Sequence, residues 1–346
     1  MAASYHTGTS SSPTNLLQTL VTWLTGQGWG VDLSAAIEAG WRAHLHKNGL
    51  YVNLRAAMDE KIWPREAEGL YHDCGEGGYG IGLYLGNGYS GGAEWHNQSG
   101  RPVRVDGTTV GAGANLPAGS VAAYHLFDDG NDHIAVVVER SPGIFCHFGW
   151  GPAMAAVGQP ETFPYFYGSS SAYMNTLDTA PPGDRHGINV TALPPMSHGD
   201  RDYSSYESGV QMVHTTAMVR VDAGTFSGRW VGNGNWNDKG YGYSGRFMRC
   251  ACNVHPDTQG TCDEGKFPGY QYLRSRVHQA AFAGGLLLPL HCYVLTDPGA
   301  RWAPLGYPPS VFWCEAVGHG FAAGQIYQVG GLDYMLFPHF AVRKAA

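Results

Sequence analysis

At 346 residues with 43% hydrophobic content, the chain exceeds the size at which one hydrophobic core stays single, and it has the apolar material for two packed units. Only 14% of residues are Asp, Glu, Lys or Arg, against 50 glycines and 12% aromatics; this balance fits a surface covered by neighbours, because interfaces shed charge and gather Tyr, Trp and Phe. A net charge of −7 with scattered Lys and Arg argues against a nucleic-acid or anionic-membrane surface, and no run of about 18 apolar residues is present to span a bilayer.

Residues 1–12 are polar and Ser-rich and read as a flexible segment. They lack the basic stretch and apolar core of a secretory signal, so synthesis in a cytoplasm is expected. From Pro13 onward, Leu16, Leu20, Trp23 and Leu24 recur at helical spacing, with Ser12 or Thr14 placed to cap and Gly26 and Gly28 placed to terminate. Trp41 to Ala56 reads as two strands around Asn48-Gly49, a strong hairpin signal. Residues 75–100 are dominated by Gly and Tyr, and alternating glycines on one strand face leave room for a ring or another backbone.

Val121–Phe127 and His133–Arg140 flank the polar turn Asp128–Asp132, and Ile144–Trp150 continues that sheet. Residues 175–209 are rich in Pro, Gly and Ser and read as a linker or long surface loop. Beyond them, 210–221, 286–295, 311–316 and 326–329 are strand-like, and Gly330-Gly331 turns the last of these into 332–338. No period of about 20 to 50 residues repeats, which argues against solenoids and propellers. The expected fold is therefore mainly β, with antiparallel hairpins forming one or two β-sandwich-like units and an N-terminal helix. The expected divisions are 1–12 flexible, 13–174 helix plus β unit, 175–209 linker, and 210–346 C-terminal β unit.

Chemistry-bearing residues are sparse. Cys250, Cys252, His255 and Cys262 supply enough ligands for a tetrahedral structural Zn²⁺, although the C-x-C spacing pinches the first two; a local disulfide and unpaired loop thiols are the alternatives. The seven cysteines are odd in number and lack a disulfide framework, so most are expected to be reduced and buried. Asp128, Asp129, Asp132 and His133 crowd one turn, where short acceptors serve the turn itself more readily than a cation. Gly88-Tyr-Ser-Gly-Gly92 matches a nucleophile elbow in letters, but no buried strand precedes it and no helix follows. Tyr79, Tyr84, Tyr89 and Trp95, with Trp230, Trp236, Tyr241 and Tyr243, form two Gly-aromatic surfaces suited to subunit contact or to stacking on a host glycan.

In its order of features the chain resembles a loosely defined family of uncharacterised virion structural proteins of tailed bacteriophages. The resemblance rests on Gly28-Trp29 after the helix, the strand Tyr51–Arg55, Phe148-Gly-Trp-Gly-Pro152, Phe163-Pro-Tyr-Phe-Tyr-Gly-Ser, and the Gly-rich terminal hairpin from Gly324 to Pro338. It spans the chain from Pro13 onward, with Cys250–Cys262 as an apparent insertion. It implies a tail, baseplate or neck component without enzymatic activity or cofactor. Its partners would be other virion proteins and copies of itself; it would be assembled in the host cytoplasm, with neither nucleic-acid binding nor membrane insertion. Two other classes compete. One is a glycan-binding adhesin. The other is a cell-wall cysteine amidase or peptidase, whose pattern resembles Asp132-His133 opening an apolar strand with Cys74 as nucleophile. Gly75-Glu-Gly-Gly after Cys74 cannot start the helix that would activate the thiol.

Overall fold

The computed structural model describes residues 2–37, 40–57, 80–102, 110–155, 163–168, 170–173, 176–177, 216–221, 229–232, 248–252, 287–295, 302–314, 320–337 and 340–345. The chain is mainly β, with antiparallel sheets and, among the described residues, a single α-helix near the N-terminus. In chain order the elements are β1 (Ser4–Ser10), α1 (Pro13–Gly26), β2 (Gly30–Ile37), β3 (Gly40–Lys47), β4 (Leu50–Ala57), β5 (Gly80–Gly86), β6 (Val110–Asn115), β7 (Val121–Asp128), β8 (Ile134–Ser141), β9 (Ile144–Ala155) and β10 (Phe163–Gly168). They continue with β11 (Ser170–Tyr173), β12 (Thr176–Leu177), β13 (Thr216–Val221), β14 (Arg229–Gly232), β15 (Met248–Cys252), β16 (Leu288–Leu295), β17 (Trp302–Tyr307), β18 (Val311–Trp313), β19 (Ile326–Val329), β20 (Leu332–Phe337) and β21 (Phe340–Lys344).

Local chemistry explains the clearest elements. The Ser12 hydroxyl accepts the Asn15 N–H at 3.1 Å, and Pro13 occupies the first helical turn, where its missing donor costs nothing. Leu16, Leu17, Leu20, Val21 and Leu24 bury one stripe of α1. The β3–β4 hairpin turns on Asn48 (φ 47°) and Gly49 (φ 83°), and the β19–β20 hairpin on Gly330 (φ 59°) and Gly331 (φ 80°). Positive φ at both central positions matches the right-handed twist of the flanking strands.

The strands form two sheets. The seven-stranded sheet runs β12-β11-β6-β5-β4-β3-β2, and the fourteen-stranded sheet follows β1-β7-β8-β9-β17-β16-β18-β21-β20-β19 with β10, β13, β14 and β15 off this path. Two expectations change here. Residues 4–10 are not a flexible segment: β1 pairs antiparallel with β7, the Thr7 hydroxyl donates to the Tyr124 carbonyl at 2.7 Å, and a Cβ on Gly8 would meet the Tyr124 hydroxyl at 2.6 Å. A division into units before and after residues 175–209 does not match the sheets either, because β10 pairs β13 and β9 pairs β17 across it. Residues 178–215, which hold most of the expected linker, lie outside the described residues.

Both faces of β7–β9 are buried. Toward one side Leu126, Ile134, Val136, Val138, Cys146, Phe148 and Trp150 share a core with Leu16, Leu20 and Leu24 of α1 and with Leu45, Val52, Leu54 and Leu83 of the seven-stranded sheet. Alternate residues point the other way, where Phe127 and Phe145 meet Phe337 of β20, and His147 meets Phe340 of β21. Two-sided burial explains why Ile134–Val138 is continuously apolar rather than alternating. Gly149 makes one close approach possible: a Cβ there would lie 2.5 Å from both the Ile134 carbonyl oxygen and the Tyr167 hydroxyl.

Candidate functional site

The turn between β7 and β8 is a polar junction built from its own backbone outward. Asp128 Oδ1 accepts the Gly130 N–H at 2.8 Å, and Asp129 Oδ1 accepts the N–H groups of Asn131 at 2.8 Å and His133 at 3.2 Å. These carboxylates act as turn acceptors. Among the described residues no group of three or more His, Cys, Asp or Glu is placed to hold a metal ion.

Three other parts of the chain converge on this turn. Asp132, held at φ 67°, takes the Lys47 ammonium at 2.7 Å and an N–H of the Asn48 amide at 2.5 Å, so the β3–β4 hairpin tip locks onto it. Lys47 also donates to the Gln27 carbonyl at 2.8 Å, just past the end of α1, and lies 5.9 Å over the Trp29 ring. Trp29 in turn sits edge-on to Trp150 of β9. On the far side His133 Nδ1 shares a 2.7 Å hydrogen bond with the hydroxyl of Ser310, just before β18.

From His133 a file of aromatic rings runs through the layer between β7–β10 and the C-terminal strands. His133 stacks on Tyr167, Tyr167 touches His147, His147 touches Phe340, Phe340 stacks on Phe337, and Phe337 meets His125, which stacks on Tyr5 of β1. Tyr5 and His125 also share a 2.9 Å hydrogen bond between the phenol oxygen and Nδ1. Burial holds His147 down to a pKa of about 3 and depresses His133 and His125, while the carboxylate of Asp129 pulls His133 the other way. Burial raises the Tyr167 phenol and the Asp128 carboxyl.

The expected aromatic surface around residues 79–95 is resolved differently. Tyr84 and Trp95 are fully enclosed and meet edge to face, the Tyr84 hydroxyl donating to the Trp95 carbonyl, so neither can face a partner or a sugar. Tyr89 is half-buried against His44. The loop from Asn87 to Gly100 folds around a residue the sequence reading passed over, Gln98. Its amide oxygen accepts the Ser90 N–H at 2.7 Å, and its amide nitrogen donates to the carbonyls of Ala93 and Glu94, each at 3.1 Å. Gln98→Ala would remove the side-chain partner of these backbone groups and is expected to cost about 1 kcal/mol. Hydrogen exchange across 88–97 should accelerate more than in the strands beneath; equal protection in both proteins would count against this role.

Of the other candidates, Trp230 lies in β14 opposite Arg220. Cys250 and Cys252 lie in β15, where the register sets Cys250 across from Cys292 and Cys252 across from Leu290. Cys292, 42 positions away by numbering (292 − 250), is absent from the expected metal set, because only strand pairing brings the two positions together. Tyr79, Trp236, Tyr241, Tyr243, His255, Cys262 and Cys74 lie outside the described residues. Cys146 and Cys314 are buried, and burial pushes the Cys146 thiol up to about 12.

The chain matches no family model, and no curated protein matches it significantly.

Proposed function

We propose that the chain is a structural component of a tailed-phage particle, in the tail, baseplate or neck, acting through assembly with copies of itself and with other virion proteins. The β19–β20 hairpin carries this reading. It closes one end of the fourteen-stranded sheet and exposes Ile326 (39%), Val329 (42%) and Leu332 (39%), three of the four large hydrophobic residues exposed among the described residues. β19 has neither the charges nor the proline that normally guard a sheet edge. Such an edge in a chain so poor in charge suits strand-on-strand assembly.

Neither rival gains a comparable observation. A peptidase using His133 needs that imidazole open to substrate, whereas it is wholly enclosed and bonded to Ser310. A glycan platform loses Tyr84 and Trp95 to the interior. The test is a search for this chain in purified particles by mass spectrometry, with an Ile326→Lys/Val329→Lys variant supplied in competition. We expect the wild-type chain in the particles and at least a tenfold lower incorporation of the folded variant. Absence of the chain from particles would overturn the assignment, and equal incorporation would remove the hairpin from it.

A further inference from the structure

We propose that the C-terminal strands β18–β21 form an acid-releasable layer, held to β7–β10 through an interface in which His125, His133 and His147 each contact a C-terminal residue. The geometry is asymmetric. On the face of β7–β9 turned toward α1, the packed side chains include Leu126, Ile134, Val136, Val138, Phe148 and Trp150, none of which takes up a proton. On the opposite face the three imidazoles sit against Phe337, Ser310 and Phe340, at 5.6 Å and 5.3 Å between rings for His125 and His147 and 2.7 Å for the His133–Ser310 hydrogen bond. One face of the same strands therefore becomes charged in acid and the other does not.

Among the described residues, the titratable and charged groups that face the file are Tyr5 and Glu139 beside His125, Lys344 over the Tyr5 ring at 5.0 Å, Tyr167 between His133 and His147, and Asp129 beside His133. Asp129 and Glu139 favour the protonated imidazoles beside them; Lys344, on the C-terminal layer itself, adds like charge. His147 is enclosed with Tyr167 and Phe340, and its burial opposes protonation. Opening the layer lets water reach all three rings. Acid pulls the equilibrium toward that open form because only the open form takes up protons readily.

The inference is independent of particle assignment, since it concerns which part of the fold yields first. The test is hydrogen exchange of the full chain between pH 7 and 4.5, corrected for the intrinsic pH dependence of exchange. Each histidine that gains a proton on opening makes protection fall about tenfold per pH unit below about 6.5. Protection of Leu332–Phe337 and Phe340–Lys344 should therefore fall by about tenfold per pH unit or more near pH 5, while α1 and β3–β4 hold. In His147→Phe, which keeps a ring against Phe340, the slope should ease by about tenfold per pH unit. Uniform loss across the chain, no slope, or earlier loss in α1 would overturn the proposal. So would an unchanged slope in folded His147→Phe; if that variant does not fold, the wild-type slope and its location alone decide.

Discussion

Lys47→Met is expected to lower the unfolding free energy by about 3–5 kcal/mol, the range for removing one partner of a buried ion pair. Lys47 is 8% exposed and Asp132 14%, so water cannot replace the lost ammonium easily. The variant strands the Asp132 carboxylate with the Asn48 amide as its remaining side-chain partner in the junction, and it leaves the Gln27 carbonyl without the ammonium. Asp132 cannot swing away cheaply, because its left-handed backbone is set by the turn it closes. Adding Asp132→Asn removes the stranded charge, and Asn tolerates positive φ, so the double variant should recover part of the loss. Denaturant unfolding of the wild type, Lys47→Met and the double variant measures both effects. A loss below about 1 kcal/mol in Lys47→Met would place this pair with exposed surface bridges and deny the turn its role as a lock.

How much of this was legible depended on whether the cause was local. Asn48-Gly49 and Gly330-Gly331 specify their turns within two residues, and the leucine spacing after Ser12 specifies α1, so these elements read directly from the sequence. β1 did not. Ser4–Ser10 has no apolar pattern, and it is a strand because β7, more than a hundred positions later, offers a free edge. The split into two units failed for a related reason: a Pro/Gly/Ser-rich stretch marks a break in composition but places no limit on which strands pair across it. Tyr84 and Trp95 looked like surface because Gly-aromatic sequence serves core and interface alike, and only the fold of the loop around Gln98 decides between them. The junction itself was half visible. Asp128 and Asp129 act as the turn acceptors the sequence suggested, but Lys47 and Ser310 reach the turn from 85 positions before Asp132 (132 − 47) and 177 after His133, distances that leave no local trace.

The same junction and ring file should make the protein sensitive to acid, and the sign follows from the histidines. In the fold His147 titrates near 3, against an ordinary 6.5, because its burial penalises the imidazolium. The unfolded chain therefore takes up a proton that the folded chain refuses, so stability is full above about 6.5 and falls as the pH drops below it. At pH 4 the difference is about 2.5 pH units below the unfolded value, or roughly 3 kcal/mol from His147 alone. His133 acts with the same sign, since burial lowers it despite Asp129. Asp128 acts in the opposite sense: its carboxyl is raised by burial, so it takes up a proton in the fold before it does in the unfolded chain and offsets part of the loss. His147→Phe keeps a ring against Phe340 and removes the titration. Urea unfolding from pH 7 to pH 4 should show similar stability for the two proteins at neutral pH and an advantage of roughly 3 kcal/mol for His147→Phe at pH 4. Parallel curves would mean that the imidazole is hydrated or compensated in acid, and the acid sensitivity would then have to be assigned to His133, before β8, instead.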